Sequence, residues 1–241
     1  MKLYDVPQIG AKMYLRDETD LWGFLQNGEY EPQETELVKK IVKKDWVCLD
    51  IGANIGYYTI LMAKLGKEVT AFEPEPSNLG MVRLNIKINN LWDKCYFTDT
   101  IASDFIGESD LYLCDASHGM HRTFKSKFGD IKIKVDSTTV DSIVKDYGLD
   151  VDFIKIDVEG SEYQVLRGMV ETIDECNPTM LIEFHPPTLE ESGTYPRDVY
   201  SFLKWRGYKI TLVHPYTEIT NYEQLDKLTR NESGGQNILC Q

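Results

Sequence analysis

Val47-Cys48-Leu49-Asp50-Ile51-Gly52-Ala53-Asn54-Ile55-Gly56 (VCLDIGANIG, residues 47–56) joins an apolar run of strand length to the start of a helix. After Gly56, the residues Tyr58, Leu61, Met62 and Leu65 recur at the spacing of one helical face, and Gly66 ends the pattern. Working outward, Glu68 to Phe72 (EVTAF) reads as the next strand. Pro76-Ser77 then opens a helix that carries Leu79, Val82 and Ile86 and runs out at Asn89-Asn90. Upstream, Leu37, Val38, Ile41 and Val42 line one stripe of a helix over residues 34–44. Strand and helix alternate with short connections, the pattern of a parallel sheet covered by helices.

Further along, Lys94 to Thr98 (KCYFT) reads as a third strand. Two β segments, Ser109 to Cys114 and Asp130 to Val135, then flank a polar stretch holding His118, Gly119 and His121. These form a β insertion around residues 105–135, and the two histidines are expected to be surface groups. Regular alternation resumes with a helix over Val140 to Tyr147 and a buried strand over Val151 to Ile156 (VDFIKI). One helix from Ser161 to Ile173 follows, then a strand over Thr179 to Phe184, a helix from Pro196 to Arg206, and closing strands at Tyr208 to Val213 and Asn237 to Cys240. The expectation is a single α/β domain over 34–241, a Rossmann-like doubly wound sheet, with residues 1–33 as an N-terminal extension packing on the core.

Composition limits the classes of function. The chain has 241 residues, 42% hydrophobic and 27% charged, ordinary values for a globular domain. Its net charge of −13 disfavours a nucleic-acid partner, because phosphate binding rests on clustered Lys and Arg. Five widely spaced cysteines with no C-x-x-C pair argue against a disulfide frame and a thiolate zinc site. Residues 1–20 hold Asp5, Arg16, Asp17, Glu18 and Asp20 and no apolar h-region, and no apolar run reaches the ~18 residues of a membrane span. A cytoplasmic location is therefore expected, with no membrane partner. Asn231-Glu232-Ser233 matches a glycosylation sequon, a short pattern with nothing else secretory beside it.

The glycine turn sits at the carboxyl end of the first strand, where doubly wound sheets bind ligands. A dinucleotide fingerprint needs G-x-G-x-x-G, but Asn54 and Tyr57 stand where the second and third glycines would be. The turn suits a ligand that brings no phosphate to the helix terminus. Glu73 follows Asp50 by 23 residues, close to the ~20-residue offset at which a carboxylate meets ribose hydroxyls. Together they point to a ribonucleoside cofactor without phosphates, such as S-adenosylmethionine. A third cluster, Lys155-Ile156-Asp157-Val158-Glu159-Gly160, closes a strand; alternation puts Lys155 and Asp157 on one face. A buried Lys155 needs a carboxylate, and Glu183 in the next strand is the expected partner. Asp157 at the strand end is a candidate functional acid. His185, two residues after Glu183, is a candidate base at neutral pH. Asp157, Glu159, Glu183 and His185 offer an alternative set of hard-ion ligands with no spacing signature behind it, so no metal is expected.

These motifs resemble the FkbM-type S-adenosylmethionine-dependent methyltransferases. Tyr30-Glu31-Pro32, VCLDIGANIGYYTILMAKLG, VTAFEPEPSNLGMVRLNIKINN, IASDFIGESDLY, VDFIKIDVEGSEYQVLRGM, MLIEFHPP and the closing QNILC carry the resemblance, which runs from about residue 30 to residue 240. It implies a class I methyltransferase sheet of seven strands with the last antiparallel. It also implies an O-methyltransferase acting on a hydroxyl of a small-molecule or glycan acceptor. Asp50, Gly52, Ala53, Asn54 and Gly56 would hold the methionine end of the cofactor, Glu73 the ribose, and Ala102 and Ser103 the adenine edge. Asp157 would face the reacting centre, with Asp157 or His185 as base and Glu183 orienting one of them. Residues 1–30 and the 105–135 insertion are the least family-like, and acceptor specificity is expected there. The competing expectations are a cofactor-binding protein without turnover and a nucleotide-dependent oxidoreductase on the same fold.

Overall fold

A computed structural model describes residues 1–16, 29–114, 119–125, 131–230 and 235–241 of the chain. His118 and the sequon at 231–233 lie outside those residues. In chain order the described elements are a hairpin of β1 (Lys2–Val6) and β2 (Ala11–Leu15), α1 (Pro32–Ile41), β3 (Val47–Ile51), α2 (Tyr57–Leu65), β4 (Glu68–Phe72), α3 (Pro76–Ile88) and β5 (Cys95–Thr98). Three strands, β6 (Ile101–Ala102), β7 (Gly107–Tyr112) and β8 (Lys132–Thr138), precede α4 (Val140–Tyr147), β9 (Val151–Ile156), α5 (Glu162–Arg167), α6 (Val170–Cys176) and β10 (Thr179–Phe184). The chain closes with α7 (Pro186–Glu191), α8 (Pro196–Trp205), β11 (Ile210–Leu212), β12 (Thr217–Ile219), α9 (Tyr222–Thr229) and β13 (Gln236–Cys240).

Every residue of β3 is buried, as a central strand covered on both faces requires. It pairs in parallel with β4 and β9, and β5 and β10 extend the sheet in parallel on either side. β13 then runs antiparallel to β10, and β11 and β12 complete the order β12-β11-β13-β10-β9-β3-β4-β5. The antiparallel β13 agrees with the sequence reading. The eighth strand, β12, does not figure in it: three residues form a hairpin with β11 at the sheet edge, too short to show a period.

Alternation along the strands separates two cores. Cys48, Val69, Ala71, Phe153, Leu181 and Leu239 face one side, packing with α2, α3 and the β1–β2 hairpin. Leu49, Ile51, Phe72, Ile154, Ile156 and Ile182 face the other, with α4, α5, α6 and α8. The hairpin falls in the stretch expected as an N-terminal extension packing on the core. Its outer edge is satisfied by side chains of α3. Tyr14 N–H donates to Asn85 Oδ1 at 2.7 Å, and Lys12 N–H donates to Asn89 Oδ1 at 3.0 Å. Amides on a helix thus take the place of a third strand and protect an edge that would otherwise invite pairing.

The single helix expected over 161–173 is two helices, α5 and α6, broken at Gly168-Met169. Two contacts account for the break. Asp141, at the start of α4, accepts from the backbone N–H groups of Glu171 and Thr172 at 3.1 and 2.8 Å, capping α6 from outside. The chain also comes so close to the Ser103 carbonyl that a Cβ on residue 168 would lie 1.9 Å from its oxygen. The insertion is confirmed as β structure: β8 pairs with β6 and β7 in a small sheet of its own, order β6-β8-β7.

Two glycine substitutions should separate packing from propensity. Gly80→Ala, within α3 and with nothing within 4 Å of the added methyl, should raise stability by about 0.5–1 kcal/mol. Gly168→Ala should lower it by about 2 kcal/mol, a fall of roughly 4–8 °C in melting temperature by scanning calorimetry.

Candidate active site

The turn after β3 is built by backbone demands. Gly52 and Ala53 both donate N–H bonds to the Phe72 carbonyl at 3.0 Å, tying the end of β3 to the end of β4. Gly52 has φ +89°, and a Cβ there would fall 1.8 Å from the Asp157 carbonyl oxygen. No other residue lets the β3–α2 and β9–α5 turns approach this closely. Asp157 N–H donates to the Ile51 carbonyl at 2.9 Å, closing the same junction from the other side. Asn54 takes the left-handed φ of 51°, which aims its N–H at Glu73 Oε2, 2.8 Å away. Glu73 Oε1 accepts from Glu75 N–H at 3.0 Å.

One cavity lies over these strand ends and encloses about 580 Å³, open mouth included. Gly52, Asn54, Glu73, Ala102, Asp157 and Glu159 are among its lining residues. Two lining side chains have buried polar atoms with no hydrogen-bond partner, Asn54 Oδ1 and Thr100 Oγ1. Since buried polar atoms are nearly always paired, these mark where a ligand would complete the site. Gly52, with no Cβ, and the carboxylate of Glu73 fit a ribonucleoside bearing hydroxyl and ammonium donors.

Not every residue singled out in the sequence reaches this space. Asp50 is buried beneath it, its carboxylate accepting the Thr59 hydroxyl at 2.5 Å. Ala53 and Gly56 support the turn; Gly56 packs against Val82 of α3. Ser103 N–H is bonded to the Thr138 carbonyl, and its own carbonyl abuts Gly168, so Ile101 and Ala102 face the cavity and Ser103 does not. His121 lines the cavity rather than the surface, because Cys114 N–H donates to its Nδ1 at 3.0 Å and holds the ring inward. Thr123 of the insertion and Asn78, Leu111 and Ser161 also line it. No local motif marked these, since four separate segments bring them together.

On the same sheet face, Lys155 is 1% exposed and pairs with Asp157 Oδ2 at 2.8 Å, not with Glu183. Strand register explains the difference. Lys155 stands opposite Leu181, and Glu183 lies two residues further on, beyond the last β9–β10 pair. The Lys155 ammonium also sits 5.2 Å from the centre of the Tyr58 ring, and Tyr58 donates to Glu31 at 2.6 Å. Burial works against this charge, but Asp157, Glu31 and Glu183 outweigh it and hold the ammonium protonated. Removing one member of such a pair costs about 3–5 kcal/mol. Asp157, Glu159 and Glu183 bring carboxylate oxygens within 4.8 Å of one another, with His185 outside the group. Two of the three already face cations, Asp157 at Lys155 and Glu159 at Arg122, 3.6 Å away. This trio does not by itself make a metal site. His185 opens α7, its Nδ1 2.5 Å from the Thr188 hydroxyl, and burial and Arg122 hold it below the usual histidine range.

A doubly wound sheet with this strand order, and a cavity over its carboxyl ends lined by a glycine turn and by Glu73, is the architecture of the class I S-adenosylmethionine-dependent methyltransferases. The model of the methyltransferase FkbM domain matches residues 50–210. The chain belongs to the FkbM methyltransferase family, and its cofactor is S-adenosylmethionine. It is 25% identical over 195 residues to methyltransferase sdnD of Sordaria araneosa, covering 68% of this chain and 73% of that protein. It is 25% identical over 202 residues to hexuronic acid methyltransferase AglP of Haloferax volcanii, covering 83% and 78%. Among solved structures it resembles methyltransferase FkbM from Methylobacillus flagellatus, with TM-score 0.53 and 15% identity, over 92% of this chain and 53% of that one. The chain thus spans about half of that structure's length, and the likeness shows the fold alone.

Burial pushes several acids of this region upward: Glu73 to about 8, Glu162 to about 7 and Asp50 to about 6. Glu159 and Glu183 shift in the same direction, by burial and by neighbouring carboxylates. Each acid keeps its proton to higher pH in the folded chain than in the unfolded one. Their contribution therefore favours folding near pH 4.5 and is lost as pH rises through about 6 to 8. Scanning calorimetry of the ligand-free protein should give a melting temperature at least ~3 °C higher at pH 6 than at pH 8. An equal or higher value at pH 8 would contradict this charge arrangement.

Proposed function

We propose that this methyltransferase acts on a hydroxyl group of a small-molecule or glycan acceptor. The observation that carries the reading is a single cavity in which the Glu73 carboxylate and the Asp157 strand end are both presented, with Asn54 Oδ1 and Thr100 Oγ1 unpaired. In this reading Glu73 accepts the two ribose hydroxyls, as a carboxylate with two oxygens can. Gly52 and Asn54 receive the methionine end, and Ile101 and Ala102 edge the adenine. Asp50, Ala53 and Gly56 act from beneath, by holding the turn in shape.

The cofactor supplies a methyl group on a sulfonium centre. The chain has to align the acceptor oxygen in line with that carbon and take up the hydroxyl proton. Asp157 is the acid nearest the junction of the two turns, and Lys155 fixes one of its oxygens. His185 is the second candidate base, with burial and Arg122 holding its imidazole below the usual histidine range. Glu183 lies within the carboxylate trio with Asp157, two residues before His185 in the chain. The likeness to a hexuronic acid methyltransferase supports a sugar acceptor.

Isothermal titration should show S-adenosylmethionine binding that Glu73→Gln weakens at least tenfold, about 1.4 kcal/mol. Transfer of labelled methyl should be seen to a panel of polyols and hexoses, and be reduced at least a hundredfold in Asp157→Asn. Methyl transfer to amines but to none of the hydroxylated compounds would overturn the assignment to hydroxyl groups.

A further inference from the structure

The β insertion was read from sequence as the part that sets acceptor choice. Its residues Gly119, His121 and Thr123 line the cavity over the strand ends, and one buried arginine ties that wall down. Arg122 is 4% exposed. Its backbone pairs with Tyr112 of β7 through bonds of 2.7 and 3.0 Å, which fixes the segment to the insertion's own sheet. Its guanidinium reaches the opposite way, to Glu191 Oε2 of α7 at 2.7 Å and to Glu159 Oε2 at 3.6 Å. The residues on either side, His121 and Thr123, line the cavity, and Thr123 bonds to Ser161 at 2.5 Å. Phe124 then lies over the β9–α5 turn. A Cβ on Gly160 would meet the Phe124 ring at 3.1 Å and Thr188 at 2.8 Å, and Gly160 has φ +103°. The turn that carries Asp157 and Glu159 is thereby pressed between the insertion and α7.

We propose that Arg122 is a positioning residue for the cofactor. By bridging the insertion to Glu191 and Glu159, it holds His121 and Thr123 as the wall of the cofactor cavity and so sets how long the cofactor stays bound. A buried guanidinium with two carboxylate partners on different elements is suited to this. Its planar fork is rigid and can face carboxylates on two elements at once. The location of Glu191 supports the same reading, since it lies on α7, away from the cavity lining, and its side chain is 42% exposed. Glu191 is absent from the cavity lining, and its ion pair with Arg122 connects it to the segment that carries His121 and Thr123.

The inference rests on S-adenosylmethionine binding in this cavity, so the wild-type protein is titrated first; no binding there would sink the functional reading itself. Stopped-flow dissociation of S-adenosylmethionine is then measured for Arg122→Met, Arg122→Lys, Glu191→Gln and the Arg122→Met/Glu191→Gln double variant, with melting temperatures in parallel. Arg122→Met should dissociate at least tenfold faster, with an association rate within about threefold of wild type. Arg122→Lys should recover part of the difference. Glu191→Gln, a mild change at a half-exposed site, should be about threefold faster, and the double variant no faster than Arg122→Met alone. That non-additivity is what a bridge predicts and a general loss of stability does not. Should Arg122→Met fail to fold, Glu191→Gln and Arg122→Lys carry the test. If both are folded and release the cofactor at the wild-type rate within twofold, Arg122 does not position the cofactor wall and the proposal is wrong.

Discussion

Two strand-end turns meet where the carbonyl oxygen of Asp157 occupies the space a Cβ on residue 52 would need. This contact places the glycine turn of β3 against the acidic turn of β9, and the cavity exists because the two meet there. It depends in turn on parallel pairing of β3 with β4 and β9, since only then do the three strand ends point the same way. The Phe72 carbonyl receives both N–H groups of the turn, and the Ile51 carbonyl receives that of Asp157. The backbone polar groups freed where the strands part are thus satisfied by the neighbouring strand ends, without closing the cleft.

Charge is distributed over this geometry unevenly. Asp50, Glu73, Glu159, Glu162 and Glu183 are pushed upward first by burial, and two cations among the described residues, Lys155 and Arg122, sit against the trio of Asp157, Glu159 and Glu183. A ligand with a sulfonium and an ammonium group is complementary to such a surface. The backbone N–H groups on Glu73 and Glu162 act against burial and keep these carboxyl groups oriented.

Much of the architecture was legible in local patterns. The alternation of β3, α2, β4 and α3 was read directly, because a strand buried on both faces and a helix with one apolar stripe have different periods. The same-face relation of Lys155 and Asp157 followed from the two-residue repeat of a strand. Where the reading failed, the cause was non-local. Glu183 was matched to Lys155 on strand adjacency, but register carries it past the end of the pairing. The helix over 161–173 kept an apolar face across Gly168, and a cap from Asp141 together with the close approach of the Ser103 carbonyl, both from other elements, divides it. The β1–β2 hairpin lay in the stretch read only as an extension: Ala11, Met13 and Leu15 alternate inward, but its strands join no main sheet and their edge is met by asparagine side chains at positions 85 and 89.

The sequence by itself determined the class of sheet, the glycine turn, the absence of a dinucleotide fingerprint and the acid at the ribose offset. All of these are properties of residues close together in the chain, set by period, spacing and backbone freedom. Only the tertiary structure decided which of those residues face the cavity. It turned Asp50 to Thr59 and Ser103 to the α5–α6 junction, and it brought His121 and Thr123 in as a wall. The reason is physical. A side chain's direction in a strand is local, whereas the cavity wall is formed by segments whose meeting depends on register, on the Gly52 and Gly160 close approaches, and on the ion pairs of a single buried arginine.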